Sequence, residues 1–412
     1  MSRPRVLLLM PTTTYRAADF VDAGIGLGAE VVVGSDRRQT LEDAVPGSTL
    51  TLDFQDTRAS ARRVAEFAEK YPLVCVVGVE DETTELAAEI SRILGLPHNS
   101  VEAVRAARDK HKTREILERA GIRVPRFRKF PASEDPVSIA RDLEFPCVIK
   151  PLFLSASRGV IRCNDARELA RAWERLWKIL EDPEVSRKGG EAAGWILVET
   201  YLPGAEVAVE ALLIHGEMRT LALFDKPDPL EGPYFEETLY VTPSRLPELT
   251  QRETLRTTAL AAAALGLREG PIHAELRVNE SGAWPLEVAP RSIGGLCSRT
   301  LRFGTGISLE ELILRHALGL EVGSLEREKK AAGVMMIPIP SAGRLLRFDG
   351  TDAAAAVPGV ESVVQSIPTG QEVLPLPEGS RYLGFIFARG EDPHFVEKAL
   401  RDAHRRLEIV VS

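Results

Sequence analysis

The stretch that decides the fold covers residues 273–289 and reads HAELRVNESGAWPLEVA. Two runs of strand-like alternation flank residues 279–283, a polar segment with a glycine that is typical of a turn. A turn centred on Ser281 would pair Glu275 with Glu287. Directly opposed side chains on neighbouring strands have Cβ atoms about 5 Å apart, so two like charges there repel each other. A cation reverses this repulsion, and two carboxylates with phosphate oxygens are a usual way to hold Mg²⁺.

Alternation along the strands adds neighbours to this acid pair. His273 and Arg277 share a face with Glu275, and Arg291 follows Glu287 with the same parity. Apolar side chains of opposite parity are expected to point into a core: Leu276, Leu286 and Val288. One face of the hairpin therefore carries acid, imidazole and guanidinium groups, which predicts a metal–nucleotide site. A solvated face with ordinary surface charges is the alternative that the hairpin alone leaves open.

The composition is that of an ordinary globular protein with room for two or three domains. The chain has 412 residues, of which 44% are hydrophobic and 27% charged, and a domain takes about 150 residues. The net charge of −8 argues against a nucleic-acid partner, which would need a basic stripe. The four cysteines are far apart and fit neither a zinc pattern nor a small disulfide framework.

Membrane and export signals are also missing from the sequence. No apolar run approaches the ~20 residues of a membrane span. The apolar run at residues 6–10 is too short for a signal peptide and is predicted to be a first strand. We therefore expect a cytoplasmic protein with no membrane partner.

Residues 1–100 alternate apolar runs with helical periodicity. Continuous apolar runs at 6–10, 30–33 and 73–78 suit a buried parallel sheet. Helical patterns at 60–70 and 84–94 fill the gaps, which predicts a small α/β open sheet. The glycines in Gly24-Ile-Gly-Leu-Gly28 precede the second strand, whereas a dinucleotide-binding fingerprint follows the first strand and opens a helix. We interpret them as a helix C-terminus.

The middle of the chain mixes helices, short strands and two loops. Helices are predicted at 101–107 and 110–120, and strands at 146–150, 160–163, 195–199 and 206–214. The last two strands are expected to pair in antiparallel fashion through a turn at 201–204. Residues 151–159 form a loop of small residues, and residues 225–247, with five prolines and little periodicity, are predicted to be a mobile loop. After a charged linker, residues 334–407 predict a smaller α+β unit.

The order of these features from Lys110 to Arg291 resembles the ATP-grasp superfamily, whose members bind Mg-ATP between two α+β lobes and phosphorylate a carboxylate. The resemblance implies an α/β and α+β protein with the ATP-grasp fold. Its parts would be an N-terminal open parallel-sheet domain at 1–105, a two-lobed ATP-binding region at 106–322 and a small C-terminal α+β unit at 323–412. The two lobes would cover 106–198 and 199–322.

The resemblance implies that two lysines and a loop bind the ATP phosphates. Lys110 is similar to the first phosphate-contacting lysine of the family, and Lys112 is the alternative. Lys150 ends a strand, where the family has a lysine that reaches the α- and β-phosphates. The small residues that follow resemble the loop that closes over the phosphates, and such residues let backbone N–H groups approach an anion. They are Ser155, Ala156, Ser157 and Gly159.

A second set of positions resembles the nucleoside contacts. Glu199, with Tyr201 and the backbone near Leu202, matches the connector between the lobes that reads the adenine edge. Glu206 follows seven positions after Glu199 and matches the acid that accepts hydrogen bonds from the ribose hydroxyls. A surface carboxylate is the alternative for each acid alone.

The hairpin acids match the metal ligands of the family, for Mg²⁺ or alternatively Mn²⁺. Ala289 stands where many relatives have an asparagine, so the number of metal ions stays open. The segment Glu287-Val-Ala-Pro-Arg291 resembles the L-amino-acid ligases, in which the arginine holds the acyl phosphate or the tetrahedral species. We therefore predict a catalytic Arg291. His273 stands where D-alanine ligases carry an oxyanion-binding arginine, which implies a supporting catalytic role, with a structural histidine as the alternative. Residues 375–388 also resemble this subgroup.

The implied activity is that of an ATP-dependent carboxylate–amine ligase. It would join amino acids through an acyl phosphate and release ADP and phosphate, with small carboxylate and amine substrates as partners and a homodimer left open. Candidate substrate contacts are Lys226, Glu237, Gly294 and Gly295, with Phe235 and Glu236 in the same segment. One alternative is an ATP-grasp enzyme that activates bicarbonate or a non-amino-acid carboxylate. The other is a non-catalytic nucleotide-binding module.

Overall fold

The computed structural model describes residues 3–39, 45 and 47–412. The description of the predicted N-terminal unit therefore leaves out residues 1, 2, 40–44 and 46. Its strands are β1 (Arg5–Leu9), β2 (Glu30–Ser35), β3 (Thr49–Thr51) and β4 (Cys75–Gly78). Its helices are α1 (Ala17–Gly26), α2 (Thr57–Lys70) and α3 (Asp81–Leu94). The strands are parallel in the order β3-β2-β1-β4, which confirms the predicted open sheet.

The strand order of this sheet reverses between β1 and β4. In open α/β sheets, ligands bind outside the carboxyl ends of the strands at such a switch point. Those ends continue into residues 10–15 and 79–82, which face the middle of the molecule. Helices α4 (Val101–Arg108) and α5 (Lys110–Arg119) follow, close to their predicted bounds.

The first lobe has a separate sheet with its own core. Its strands, in the order β5-β8-β6-β7, are β5 (Phe127–Pro131), β6 (Cys147–Pro151), β7 (Ile161–Cys163) and β8 (Trp195–Thr200). Its helices are α6 (Pro136–Ile139), α7 (Ala166–Glu181) and α8 (Pro183–Gly189). Leu169, Trp173 and Leu176 form a buried stripe on α7 against the sheet, and each such side chain contributes roughly 1.5–3 kcal/mol. Asp165 caps α7 by accepting from the backbone of Glu168 at 2.8 Å.

The second lobe and the C-terminal unit share one continuous sheet in the order β13-β12-β9-β10-β11-β16-β20-β18. The second-lobe elements are β9 (Ala205–Ile214), β10 (Glu217–Lys226), β11 (Leu239–Thr242), α9 (Glu248–Ala264), β12 (Gly270–Asn279), β13 (Gly282–Ala289), β14 (Arg302–Phe303), β15 (Ile307–Ser308) and α10 (Leu309–Ala317). The C-terminal elements are β16 (Ala331–Ile337), β17 (Gly343–Asp349), α11 (Thr351–Ala355), β18 (Val360–Gln365), β19 (Glu372–Val373), β20 (Gly384–Gly390), α12 (Pro393–His404) and β21 (Glu408–Val411). Strands from both sides of the boundary predicted at 322/323 thus belong to the same sheet.

Two local predictions are wrong. Strand β8 does not pair with β9, because the turn between them crosses from one lobe to the other. Gly204 has a φ of 125°, and a Cβ there would lie 2.3 Å from the carbonyl oxygen of Val278, so only glycine fits. The segment 225–247 is not simply a mobile loop, since it contains β11, which pairs with β10 and β16.

The first lobe has a hydrophobic core of its own, whereas the other three parts of the molecule share a core. One buried cluster joins the N-terminal sheet to the second lobe and the C-terminal unit, with members such as Leu8, Phe224, Leu309 and Phe385. The first lobe packs around its own cluster. Among the described residues, no helix combines the length and apolar character needed to cross a membrane.

Candidate active site

A cavity of about 570 Å³ opens where the N-terminal unit, the two lobes and the C-terminal unit meet. Its walls come from the carboxyl ends of β1 and β4 and from the loop at 153–158. The connector at 199–202, the β12–β13 hairpin and residues 380–382 complete the lining. The switch point of the N-terminal sheet therefore faces the acidic hairpin of the second lobe.

The hairpin pairs Glu275 with Glu287, as predicted, but through a different turn. Strands β12 and β13 are joined by two residues, 280 and 281, rather than by a turn centred on Ser281. A bulge between Glu275 and Leu276 then shifts the register by one residue and restores the predicted pair. The prediction that Leu286 points into the core is wrong, because Leu286 is the extra residue of the bulge. It is half-buried and lines the cavity.

Each hairpin acid has a lysine beside it. The Nζ of Lys110 lies 3.2 Å from Oε2 of Glu287, and the Nζ of Lys226 lies 2.9 Å from Oε1 of Glu275. Lys110 also donates to the carbonyl oxygen of Leu154 at 2.7 Å, which ties it to the loop at 153–158. Lys112 is exposed and does not line the cavity, so the geometry favours Lys110 over this alternative.

Lys226 lies beneath the cavity rather than in its wall. Its Nζ contacts Glu206 at 2.7 Å and Glu237 at 2.5 Å as well as Glu275. The oxygens of these three acids lie within 4.8 Å of one another, a set that can hold a cation. Burial and repulsion from Glu275 raise the pKa of Glu237 to about 7. Burial acts in the same direction on Glu275, but Lys226 and His273 hold the pKa of Glu275 well below its usual range.

A second buried ion cluster lies in the first lobe. The Nζ of Lys150 is 2.5 Å from Oε2 of Glu199, and the Nε of Arg114 is 2.6 Å from Oε1 of the same residue. Burial alone would raise the pKa of Glu199, but the two cations outweigh it and lower the pKa to about 2. Both oxygens of Glu199 are therefore engaged, and this carboxylate holds Lys150 at the cavity wall.

The loop at 155–159 has an uncommon backbone conformation beside the cavity. Ala156 and Ser157 both have a φ of 54°, a left-handed conformation that is uncommon for residues with a Cβ. Ser155, Ala156 and Ser157 line the cavity, whereas Gly159 lies behind the loop, where its N–H donates to the carbonyl oxygen of Pro377 at 2.9 Å. The N–H groups of Arg158, Gly159 and Val160 donate within the protein, so an anion at this loop would be bound by the N–H groups before them.

The connector side of the cavity is flat and apolar. The rings of Tyr201 and Phe235 stack with centroids 6.5 Å apart, and Phe235 packs with Val148 and Leu230. Apolar and aromatic surface of this kind suits contact with a planar base. At its rim, Glu206 accepts from Arg277 at 2.9 Å in addition to Lys226.

His273 and Arg291 flank the acid pair. The Nδ1 of His273 is 3.1 Å from Glu210 and its Nε2 is 3.4 Å from Glu275. Burial alone would lower the pKa of His273, but hydrogen bonds to these acids raise it to about 9, so the ring is positively charged at neutral pH. Arg291 donates to Asp81 of the N-terminal unit at 2.7 Å, and its buried Nε has no hydrogen-bond partner among the described residues.

Comparison with known proteins agrees with this geometry. Three family models match the chain: the ATP-grasp N-terminal domain at 21–98, the ATP-grasp domain at 143–300 and the L-amino acid ligase C-terminal domain 2 at 335–412. The chain belongs to the ATP-grasp superfamily. An L-amino acid ligase from Bacillus licheniformis, known from its crystal structure, is similar over 100% of both chains, with 26% identity and a TM-score of 0.84.

Two further relatives of this ATP-grasp protein are also ligases or synthases. Alanine–anticapsin ligase from Bacillus amyloliquefaciens is 26% identical over 55% of this chain and 50% of the ligase. Carnosine synthase 1 from Gallus gallus is 30% identical over 65% of this chain and 30% of the synthase. Each of these two matches spans half or less of the relative. Together with the L-amino acid ligase, they confirm the predicted class of ATP-dependent ligases that form C–N bonds.

Sequence reasoning missed several residues of the ATP-grasp site. Glu210 lies in an otherwise apolar strand with the same parity as Glu206, which was a usable signal. Arg114 follows Lys110 by one helical turn, and Asp81 follows the strand β4 at the switch point. Of the candidate substrate residues, Glu237, Gly294 and Gly295 line the cavity, as does Phe235, whereas Lys226 and Glu236 do not.

Proposed function

We propose that this ATP-grasp protein is an ATP-dependent carboxylate–amine ligase that joins two amino acids through an acyl phosphate and releases ADP and phosphate. One observation carries the proposal: Lys110, Lys150, the opposed pair Glu275 and Glu287, and Arg291 surround a single cavity. Cations for a polyphosphate, carboxylates for a metal ion and a donor for developing negative charge are the parts that such a reaction needs.

Glu275 and Glu287 would hold Mg²⁺, with Mn²⁺ as the alternative ion. The two carboxylates stand on opposed positions of neighbouring strands and both line the cavity, and carboxylate oxygens are ligands that Mg²⁺ prefers. The low pKa of Glu275 keeps that group ionised at neutral pH. When bound, the metal ion would withdraw charge from the β- and γ-phosphates. Ala289, two positions after Glu287, would not be a metal ligand, because its side chain has no oxygen.

The other residues would bind, orient and shield the reactants. Lys110, Lys150 and the loop at 155–158 would bind the triphosphate, so that a substrate carboxylate attacks the γ-phosphorus in line and ADP leaves. An amine then attacks the acyl carbon, and phosphate leaves. Arg291 would donate to the oxygen that becomes negative, with support from His273. The loop must exclude water, because water would hydrolyse the acyl phosphate.

Similarity supports amino acids as the substrates. The L-amino acid ligase is similar over the whole chain, and the name of the alanine–anticapsin ligase gives alanine as one substrate. The model for the C-terminal domain of L-amino acid ligases matches residues 335–412, and residues 380–382 of that region line the cavity. The assay described next distinguishes an amino acid from another acyl donor, such as bicarbonate.

The test incubates the protein with ATP, Mg²⁺ and pairs of the proteinogenic amino acids, and it measures ADP, phosphate and new peptide mass. We expect at least one pair to give ADP and dipeptide in equal amounts. Glu287→Gln should lose both products, whereas Glu280→Gln, an exposed acid in the turn of the same hairpin, should not. ADP release that requires bicarbonate but no amino acid would favour the alternative. ATP binding without turnover on any substrate would contradict the proposal.

A further inference from the structure

Glu210 is a fully buried acid behind the cavity. It lies in β9 directly opposite His273 in β12, with 0% of its surface exposed, and it is not part of the cavity lining. Opposed residues of neighbouring strands share a face of the sheet, so Glu210 lies on the same face as the catalytic candidates. A buried carboxylate is unfavourable unless its oxygens accept hydrogen bonds, so the partners of Glu210 indicate what it does.

Two donors share this carboxylate. The Nδ1 of His273 lies 3.1 Å from Oε2 of Glu210, and the backbone N–H of Ile293 donates to both oxygens at 3.1 Å. One side chain therefore ties an imidazole two positions before Glu275 to the backbone two positions after Arg291. The turn that starts at Ile293 continues into residues 294 and 295, which line the cavity.

The same turn is held from the opposite side by the N-terminal unit. Arg16 has 0% exposure and donates to Oγ of Ser292 at 2.5 Å, to the carbonyl oxygen of Ser292 at 3.4 Å and to that of Val79 at 3.2 Å. The turn after Arg291 thus has one buried cation and one buried acid as its supports. Without Glu210, the buried N–H of Ile293 would lose its acceptor.

We propose that Glu210 is a positioning residue for amide formation. It fixes the ring of His273 and the turn at 293–295 so that both face the acyl group that Arg291 contacts. Such supports matter because reacting groups must stay within about 0.5 Å of the productive geometry. This inference rests on the proposed ligase function and adds a residue that holds other groups without touching the substrate.

Glu210→Gln tests the proposal with a side chain of the same shape. The amide removes the negative charge and one of the two acceptor oxygens, and its NH₂ group then faces an N–H donor, so the bonds that hold His273 and Ile293 weaken. We expect the rate of dipeptide formation to fall by about 10- to 100-fold, the scale known for the loss of an outer hydrogen-bond partner at a metal site. The KM for ATP should stay within about twofold, because the phosphate-binding residues do not touch Glu210. ADP should then exceed dipeptide, since water takes the place of the amine.

The matched control is Asp225→Asn. Asp225 is also a buried acid of this sheet, but it accepts from Ser244 at 2.5 Å and from the backbone of Arg245 at 2.9 Å, away from the cavity lining. It should leave the ratio of ADP to dipeptide at the wild-type value. A purely structural role of Glu210 predicts the same unchanged ratio for Glu210→Gln, and that result would overturn the proposal.

A double variant separates an effect through His273 from a general loss of stability. If Glu210 acts through this ring, Glu210→Gln should reduce the rate at least threefold less in a His273→Asn background than in the wild type. Equal losses in both backgrounds contradict the part of the proposal that acts through His273 and leave the turn at 293–295 as the group that Glu210 positions. Glu210→Asp is a second variant of the same residue. If neither Glu210→Gln nor Glu210→Asp folds while Asp225→Asn does, the role of Glu210 is structural and the proposal is wrong. Absence of any amino-acid-dependent ADP in the wild type would reject the ligase function itself.

Discussion

The two lobes hold buried ion clusters of opposite character. In the first-lobe cluster, two cations, Arg114 and Lys150, share one acid, Glu199. In the second-lobe cluster, one cation, Lys226, faces the three acids Glu206, Glu237 and Glu275. Cations therefore outnumber acids in the first-lobe cluster, whereas acids outnumber the lysine in the second-lobe cluster. This difference suits a polyphosphate on the first lobe and a metal ion on the second.

Burial acts in the same direction on Glu199 and Glu237, but the pKa values of these two acids lie on opposite sides of the usual value. Burial on its own raises the pKa of any carboxyl group. The two cations of the first-lobe cluster reverse this effect and hold the pKa of Glu199 at about 2. The neighbouring acids of the second-lobe cluster add to it and bring the pKa of Glu237 to about 7. Burial is the largest single influence on both pKa values, and the neighbouring charges decide whether its effect is kept, as in Glu237, or reversed, as in Glu199.

Arg114→Met breaks the first-lobe cluster and should have the largest effect. Arg114 is fully buried, so its removal leaves Glu199 with a single counter-ion. Breaking a buried ion pair lowers the free energy of unfolding by about 3–5 kcal/mol, which corresponds to a fall of about 4–6 °C in the thermal midpoint of a chain of 412 residues. Arg123→Met is the control, because its pair with Glu253 is exposed and worth about 0–1 kcal/mol. Equal midpoints for the two variants would contradict this account.

Lys150→Ala tests the positive side of the cavity directly. Loss of one charged donor at a developing charge typically lowers the rate by about 10²- to 10³-fold, so kcat/KM for ATP should fall by about 100-fold. Lys112→Ala removes an exposed lysine that does not line the cavity, and kcat/KM should stay within about twofold. ADP release at varied ATP concentration measures both values. A larger loss of kcat/KM for Lys112→Ala than for Lys150→Ala would show that Lys150 is not the lysine that binds the phosphates.

Glu237→Gln tests the negative side through the pH dependence of stability. The folded pKa of Glu237, about 7, lies above the unfolded value of about 4.3. The folded protein therefore binds the extra proton, and stability from this group is lost as pH rises between these values. The unfolding free energy of Glu237→Gln, relative to wild type, should rise by about 2 kcal/mol from pH 5 to pH 8. Thermal unfolding in EDTA, without nucleotide, measures it.

Glu199→Gln is the matched comparison for that experiment. The pKa of Glu199 is about 2 in the folded protein, so this acid is ionised in the folded and the unfolded states above about pH 5. Its stabilising effect is lost only as pH falls below that value. The difference between Glu199→Gln and wild type should therefore stay constant from pH 5 to pH 8. A constant difference for Glu237→Gln as well would show that the two clusters do not differ in the way described.

The sequence predicted local elements and charge alternation well. Helices α4 and α5 begin at residues 101 and 110, as their periodicity indicated, and the apolar runs form the parallel N-terminal sheet. The pairing of Glu275 with Glu287 was also confirmed, although its turn was misplaced and a bulge corrected the register. The predicted order of site residues resembled the superfamily whose domain models match residues 21–98 and 143–300.

Contacts between distant segments could not be predicted from the sequence. Arg291 meets Asp81 across 210 positions of the chain, and no local pattern indicates such a pair. Strand β8 resembled a partner of β9, but its partners are β5 and β6, because Gly204 turns the chain into the other lobe. Strand β11 was hidden among prolines, and only its neighbours β10 and β16 make it a strand.

The most direct test is a crystal structure with Mg²⁺ and a non-hydrolysable ATP analogue. The account predicts a metal ion with an oxygen of Glu275 and one of Glu287 at about 2.0–2.1 Å, and Lys150 in contact with a phosphate. Glu275 and Glu287 pointing apart, or a metal ion bound far from both, would contradict it.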